Sequence, residues 1–420
     1  MQNQRPSNFL ILTMQYSDEI GGGVGISAQE LSGGLSRNGD HVVVLSCTLG
    51  KPAKLVEGNR IVYLLPPSRP GNGSASVTQG ILAFNQDLIA YARKTVFAEC
   101  ASPDLIQCSN WLTFPAAREL GRSFGVPVVC RIHFVSEPCE RWWGQIPDPE
   151  IVEQEAIAFR EADRLVTVSS SIRSIVQRTH GIPDNKISVV YNGIDIEAFS
   201  KCNVLPQQLS ELKAAIAPGG EKVVLFAGRL NPQKGVLAIL ASIPQVLEKH
   251  PKVRYVFAGE PDSQDFARKV RETLDENPDL KAKTLFLGKV PRRKLAALYK
   301  VADVALAPSV YEPFGYASIE AMAAGVPVVV SAAGGLGEIV DHEKTGLCVS
   351  VHPEKDGTHR VDVGELALAT MRMLGDEEFA RNMAVAAGQK VRKMFDSESL
   401  VRGLRATYQL AISEYQPRCA

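Results

Sequence analysis

The stretch Ser309–Ser331, SVYEPFGYASIEAMAAGVPVVVS, combines a Pro-Phe-Gly turn, a segment of small and apolar residues, and a run of valines. The valine run predicts a strand buried on both faces of a sheet, and the segment before it predicts a helix that begins near Gly315 or Tyr316. Free N–H groups at a helix start attract phosphate or sugar oxygens, and a glycine there lets a ligand approach the backbone closely. The stretch therefore predicts an α/β fold with a ligand site at the start of a helix.

Two glutamates flank this turn. Glu312 precedes the predicted helix, and Glu320 lies inside it, where helical side chains lean back toward the helix start. Both carboxylates are then expected to face one ligand and to accept hydrogen bonds from two polyol portions of it. The alternative is structural, with one glutamate a charge at the helix start and the other a solvated helix charge.

Outward from this stretch, short apolar runs alternate with longer amphipathic segments along the whole chain, which is typical of βαβ units and parallel sheets. The strands predicted in the first half are Phe9–Met14, His41–Ser46, Leu105–Cys108, Val126–Ile132, Arg164–Val168 and Ile187–Val190. Those predicted in the second half are Lys222–Ala227, Val253–Ala258, Thr284–Gly288, Val304–Ala307 and Val326–Ser331.

The chain length indicates two domains, because 420 residues exceed what one hydrophobic core supports. The segment from Ala198 to Gly220 shows no clear strand and carries Pro206 and Pro218, so it predicts the boundary region. We therefore expect two Rossmann-like, doubly wound domains, residues 1–200 and 201–395, that face each other across a cleft.

The composition limits the classes of partner. Lys and Arg total 46, as do Asp and Glu, so the net charge gives no reason to expect nucleic acid, and any anion must be bound by local cations. The eight cysteines show no C-x-x-C pair, which predicts reduced thiols in a cytoplasmic protein. No stretch approaches the roughly 20 apolar residues of a membrane-spanning helix, whereas peripheral membrane contact stays open.

A second ligand-binding signal is the loop Gly228–Gly235, which follows the predicted strand Lys222–Ala227. Ligands of open α/β sheets bind beyond the carboxyl ends of the strands. Arg229 offers a planar fork of donors and Lys234 a point charge, a combination that suits a diphosphate. The alternative is that both are surface cations between a strand and a helix.

The first half carries weaker signals of the same kind. The glycines Gly21–Gly23 follow the first strand and precede a helical segment, without the Lys-Ser/Thr ending of a P-loop. His133 follows a predicted strand and is placed to donate a hydrogen bond to a reacting group. Trp142 and Trp143 fit either stacking on a sugar face or packing in a core. No D-x-D pair or metal cluster occurs, so cations and helix starts are expected to neutralise a bound diphosphate.

Taken in order, these motifs resemble the retaining glycosyltransferases of family 4, also called group 1, which have the GT-B fold. The resemblance covers nearly the whole chain. It rests on Gly21-Gly22-Gly23, His133, Asn192-Gly193-Ile194-Asp195, Gly228-Arg229-Leu230 with Lys234-Gly235, and the pair Glu312 and Glu320 around Pro-Phe-Gly. It also implies that a final helix, residues 396–420, crosses back to the first domain.

The resemblance implies a role for each motif. It assigns the donor diphosphate to Arg229 and Lys234, and the nucleotide ribose to Glu320. The donor sugar is assigned to Glu312, His133 and the backbone of Phe314, Gly315, Tyr316 and Ala317. Residues Gly22 and Gly23 are implied near the phosphate and acceptor, and Gly288 and Val290 beside the base.

The predicted enzyme is a hexosyltransferase that moves a sugar from a nucleotide-diphosphate sugar, such as a UDP-sugar, to an acceptor hydroxyl with retention. No metal and no cofactor are expected. The alternatives are a glycosyl phosphorylase and a noncatalytic nucleotide-sugar-binding protein. The acceptor, which is a small molecule, a glycan or a lipid, and the oligomeric state are left open.

Overall fold

The computed structural model of the protein describes residues 6–16, 22–67, 76–201 and 204–416, and the chain divides into two units. Unit 1 contains the chain up to Pro138, Pro147–Gly193 and the residues from Ser397 onward. Unit 2 contains Cys139–Ile146 and Ile194–Asp396. The prediction of two α/β domains with parallel sheets is confirmed.

Unit 1 is built on an eight-stranded sheet whose strands follow one another in the order β3-β4-β2-β1-β5-β6-β7-β8. The strands are β1 Asn8–Thr13, β2 His41–Cys47, β3 Ala53–Glu57, β4 Arg60–Leu65, β5 Leu105–Ser109, β6 Val128–Ile132, β7 Arg164–Thr167 and β8 Ile187–Val189. The helices are α1 Gly23–Arg37, α2 Val77–Tyr91, α3 Phe97–Glu99, α4 Phe114–Phe124, α5 Pro149–Glu161, α6 Ser170–His180 and the last helix of the chain, α17 Ser397–Glu414.

Unit 2 has a six-stranded, fully parallel sheet in the order β11-β10-β9-β12-β13-β14 and a separate antiparallel hairpin, β15-β16. The strands are β9 Lys222–Ala227, β10 Val253–Ala258, β11 Thr284–Phe286, β12 Val304–Ala307, β13 Val328–Ser331, β14 Leu347–Val349, β15 Val351–Pro353 and β16 His359–Val361. The helices are α7 Ile196–Ser200, α8 Pro206–Ile216, α9 Val236–Lys249, α10 Gln264–Asp275, α11 Pro278–Lys283, α12 Arg292–Val301, α13 Tyr316–Ala324, α14 Leu336–Ile339, α15 Val363–Gly375 and α16 Glu377–Met394.

The edge of the unit 1 sheet departs from the predicted parallel pattern. Strands β3 and β4 pair antiparallel through the two-residue turn Gly58-Asn59, and Gly58 takes the positive φ of +58° that such hairpins require. Neither strand was predicted. Strand β3 lies at the sheet edge with four of its five side chains exposed, so it lacks the apolar run of a buried strand, whereas the apolar run of β4 was missed.

Two predicted strands begin two residues later than expected, and for the same reason. In both places a Gly-Val-Pro sequence ends a helix: Gly125 and Gly325 adopt positive φ, and the N–H groups of Val126 and Val326 donate back to Gly121 O and Ala321 O. This is the usual C-terminal closure of a helix, so each valine belongs to the cap rather than to the strand.

The unit boundary lies at Gly193, whereas residue 200 was predicted. Helix α7 belongs to unit 2 because its Phe199 is buried there, with its ring centroid 6.2 Å from that of Tyr299. Helix α17 belongs to unit 1, where Tyr408 packs on Phe9 with 5.1 Å between ring centroids. None of the described helices is long and apolar enough to cross a membrane.

Candidate functional site

The strand order of unit 2 reverses between β9 and β12, which are neighbours in the sheet although four α-helices and two strands separate them in the chain. A crevice forms outside the carboxyl ends of two such strands, because their connections leave toward opposite faces of the sheet. The loop after β9 carries Arg229 and Lys234, and the loop after β12 carries Glu312. The fold therefore brings two of the predicted motifs to one switch point.

Backbone contacts hold these two loops together. The Val310 N–H donates to Gln233 O at 2.8 Å, and the Gln233 side-chain amide donates to Tyr311 O at 3.1 Å. Gly235 has φ +68°, and a Cβ atom there would lie 1.9 Å from Pro308 O. Only glycine permits this approach, so the Lys-Gly pair of the motif places Lys234 directly against the second loop.

Lys234 and Glu312 form an ion pair across the two loops. The Lys234 ammonium donates to Glu312 Oε2, and their side chains are only 19% and 16% exposed. The Ser309 hydroxyl also donates to Glu312 Oε2, at 3.2 Å. Arg229 follows β9 with an exposed side chain. The two loops thus present Lys234, which is paired, and Arg229, which is exposed. They also present the Glu312 carboxylate, which Lys234 and Ser309 hold in place.

The predicted helix start is found where it was expected, since α13 begins at Tyr316 with Gly315 as its N-terminal cap residue. Gly315 has φ +123°, and a Cβ atom there would lie 2.6 Å from the Leu336 side chain. The side chain of Phe314 is buried, with its ring centroid 5.5 Å from that of Tyr316. The backbone N–H groups of Tyr316 and Ala317 belong to the first turn, so they have no acceptor inside the helix.

Glu320 is buried on α13, with 5% of its side chain exposed. Arg292, the first residue of α12, donates from Nε to Glu320 Oε1 at 2.9 Å. Burial, and to a smaller extent the Glu320 charge, raises the pKa of Tyr299 well above its usual value, so its phenol stays protonated. The structural alternative, a solvated helix charge at this position, is therefore wrong.

The predicted base-flanking residues follow β11, at the same edge of the sheet but two strands away from β9. Gly288 has φ +68° and bridges to Gly259 of the neighbouring loop. Val290 is partly buried just before α12. The structure thus places Gly288 and Val290 at the side of the crevice from which Arg292 reaches Glu320.

The remaining predicted residues lie in unit 1. His133 follows β6 and is buried, and its backbone N–H donates to Asn110 Oδ1 at 2.7 Å. Burial, with a smaller contribution from Arg131, lowers the pKa of His133 well below its usual value. The imidazole is therefore neutral at pH 7 and offers one N–H donor and one acceptor. Gly22 caps α1, and Gly23 is its first residue; Gly21 lies outside the described residues.

The two tryptophans pack in unit 2 rather than standing exposed. Trp142 lies 4.8 Å from the Tyr311 ring and 5.2 Å from the His359 ring, and both tryptophans contact the hydrophobic core of that unit. Of the two predicted possibilities, core packing is the one observed. Trp142 thereby supports the loop that carries Glu312 from the side of Tyr311.

Three residues of the crevice were not predicted from the sequence: Arg292, Ser309 and Gln233. Ser309 stands three residues before Glu312 and Gln233 directly before Lys234, so their positions inside the quoted motifs could have suggested a supporting role. Arg292 gave no signal, because 28 residues separate it from Glu320 and it stands in the basic run Arg292-Arg293-Lys294. In the described part of the chain, no group of three or more His, Cys, Asp or Glu residues is placed to hold a metal ion.

Two family models match the chain: Glycosyltransferase Family 4 over residues 21–198 and Glycosyl transferases group 1 over residues 209–389. An uncharacterized glycosyltransferase of Methanocaldococcus jannaschii is 30% identical over 405 residues, covering 96% of this chain and 98% of the relative. The glycogen synthase of Mycobacterium tuberculosis is 30% identical over 427 residues, with 97% and 96% covered.

Among solved structures, Anabaena HepE in complex with UDP-glucose has a TM-score of 0.74 at 19% identity, covering 96% of this chain and all of that one. At this identity the likeness shows the fold alone, which is the GT-B fold. The identity of 30% over nearly the full length of two relatives, together with both family models, shows more than the fold. This protein belongs to the family 4, group 1 glycosyltransferases.

Proposed function

We propose that this glycosyltransferase uses a nucleotide-diphosphate sugar as donor and transfers the sugar to an acceptor hydroxyl with retention and without a metal ion. The observation that carries the proposal is the Lys234–Glu312 ion pair, which joins the loops after β9 and β12 at the switch point of the sheet. The pair supports the proposal because a cation suits a diphosphate and a carboxylate accepts hydrogen bonds from sugar hydroxyls.

In the proposed reaction, the bond between the anomeric carbon and the diphosphate oxygen breaks, and a bond to the acceptor oxygen forms on the same face of the sugar. The acceptor hydroxyl gives its proton to the departing diphosphate oxygen, so neither glutamate needs to act as a nucleophile. Negative charge grows on the diphosphate as the bond breaks, and Arg229 and Lys234 stabilise this charge more strongly in the transition state than in the ground state.

The same residues support the other parts of the proposal. The start of α13 lies four residues after Glu312 in the chain, and its N–H groups are proposed to add positive potential for the diphosphate, so that no divalent cation is needed. Glu312 is proposed to bind the donor sugar, and Glu320 the ribose. The complex of Anabaena HepE with UDP-glucose supports a UDP-sugar as the first donor to test.

The roles of His133, Gly22 and Gly23, which lie in unit 1, stay predictions. A reducing, cytoplasmic location also stays a prediction. It is supported by the buried free thiols of Cys47, Cys108, Cys130 and Cys139.

The test measures nucleotide release from UDP-, ADP- and GDP-sugars with a panel of hydroxyl acceptors, in excess EDTA, and determines the anomeric configuration of the product by NMR. We expect turnover in EDTA and a retained anomer. Arg229→Ala and Lys234→Ala should each lower turnover roughly 10²-fold, by comparison with the loss of other charge-stabilising donors. The matched control is Arg268→Ala, which removes an exposed cation on α10.

Two results would contradict the proposal. Near-normal turnover in both Arg229→Ala and Lys234→Ala would show that these two residues do not stabilise a departing diphosphate. Sugar transfer that depends on inorganic phosphate and proceeds without any nucleotide would favour the phosphorylase alternative instead.

A further inference from the structure

Helix α12 contributes two side chains to the surroundings of Glu320. Arg292 and Tyr299 are seven residues apart, two turns along the helix, so they lie on the same face. Arg292 Nε donates to Glu320 Oε1 at 2.9 Å, and the Tyr299 hydroxyl donates to Ala317 O at 3.2 Å. One face of α12 therefore holds both the carboxylate of Glu320 and the first turn of α13.

The guanidinium of Arg292 is itself restrained. Its carbon lies 5.2 Å from the centroid of the Phe199 ring, and Phe199 is 2% exposed. A guanidinium stacked on a buried ring keeps its planar donors in one orientation, whereas a lysine ammonium on a flexible stem would not. Arg292 is thus placed between a fixed ring and the carboxylate it contacts.

The last torsion angle of a glutamate side chain, χ3, has a broad distribution. The direction of the carboxylate oxygens therefore depends on their hydrogen-bond partners. It can accept about four hydrogen bonds, so an arginine donor and ribose hydroxyls can be bound together. A hydroxyl-binding carboxylate that is already oriented loses less entropy when the ligand arrives.

We infer that Arg292 is a positioning residue, which holds Glu320 in the orientation that binds the ribose and so sets the preference of the site for ribonucleotides over deoxyribonucleotides. The inference rests on the proposed function, in which Glu320 contacts the nucleotide ribose. Arg292 itself acts only through Glu320 and needs no contact with the reacting atoms.

The experiment compares the dissociation constants of UDP, 2′-deoxy-UDP and 3′-deoxy-UDP by calorimetry, with the ADP series in parallel. The variants are Arg292→Met, Arg292→Lys, Glu320→Gln and, as the matched control, Arg293→Met on the exposed neighbouring position. We expect the wild type to bind UDP or ADP roughly 10-fold or more tightly than a deoxy analogue of the same nucleotide. A hydrogen bond to a charged group makes a difference of this size.

Arg292→Met should lose most of this preference, as should Glu320→Gln, whereas Arg293→Met should keep it. The preference is a ratio of two affinities measured on the same folded variant, so a general loss of stability does not change it. Arg292→Met leaves a buried carboxylate without its arginine and is expected to lower stability. Arg292→Lys keeps the charge but lacks the planar donor, so it serves as the second variant and should also lose the preference.

The outcomes separate this inference from the proposed function. If Glu320→Gln abolishes the preference while both Arg292 variants keep it, the positioning role is overturned and the ribose contact stands. If the wild type binds ribo- and deoxynucleotides equally, the ribose contact and the positioning role both fail. If no nucleotide binds at all, the proposed function itself fails.

Discussion

Replacing Glu312 by glutamine should change two measurable quantities in opposite directions. In the structure Lys234 is paired with Glu312, so a donor diphosphate has to displace that carboxylate from the ammonium group. Glu312→Gln removes the competing charge and leaves Lys234 available, which should tighten binding of a free nucleoside diphosphate. The same change removes the proposed sugar contact, so turnover of the nucleotide sugar should fall.

The size of the effect follows from the exposure of the pair. Exposed ion pairs contribute about 0–1 kcal/mol, and unpairing a buried pair costs about 3–5 kcal/mol. Side chains that are 19% and 16% exposed lie between these limits, so we take about 1.4 kcal/mol as the interaction that is lost. This corresponds to about a 10-fold lower dissociation constant for the diphosphate. We expect the accompanying decrease in turnover to be roughly 10²-fold.

The assay is calorimetric titration with UDP, ADP and GDP, followed by turnover measurements with the sugar conjugate of the nucleotide that binds best. The matched control is Glu354→Gln, which removes a carboxylate from an exposed pair with Arg360 in the same unit. It should leave both quantities unchanged. If Glu312→Gln weakens binding of the free nucleoside diphosphate, the displacement of Glu312 by the diphosphate is refuted.

Two further predictions concern stability. The folded pKa of His133 is lowered by burial, so the unfolded chain alone binds this proton as the pH falls below about 6.5, and the free energy of unfolding decreases. Replacing His133 by glutamine should therefore reduce the loss of stability between about pH 7.5 and about pH 5.5 by about 1.4 kcal/mol. The free energy of unfolding is measured by urea unfolding at both pH values. An unchanged pH dependence would show that His133 takes up a proton in the folded state. Gly235→Ala should lower stability by at least about 2 kcal/mol, because a Cβ atom there meets Pro308 O at 1.9 Å. Gly325→Ala is the control, since Gly325 also has a positive φ but a Cβ atom there meets no atom within 4 Å. It should lower stability by only about 1 kcal/mol. Equal melting temperatures for the two glycine variants would contradict the close packing of the two loops.

Much of the fold could be predicted because the relevant signals are local. The strands Lys222–Ala227, Val253–Ala258 and Val304–Ala307 begin and end at the predicted residues, since each is a short, predominantly apolar run between turns. Strand β3 could not be predicted in this way, because an exposed edge strand carries no apolar run; its partner β4 has such a run and was missed. The capping roles of Val126 and Val326 were also hidden, since a valine in a helix cap and a valine in a strand look alike in sequence.

The candidate site also combines features that are visible in local sequence with features that only the tertiary structure shows. The sequence by itself determined the α/β class, the family, and the motifs with Arg229, Lys234, Glu312 and Glu320, because each motif is a short contiguous pattern. Only the tertiary structure decided which of these side chains meet: Lys234 pairs with Glu312 across 78 residues, and Arg292 with Glu320 across 28 residues. Such pairs depend on strand order and on the close approach of Gly235 to Pro308. These are properties of packing between distant segments, which no local pattern encodes.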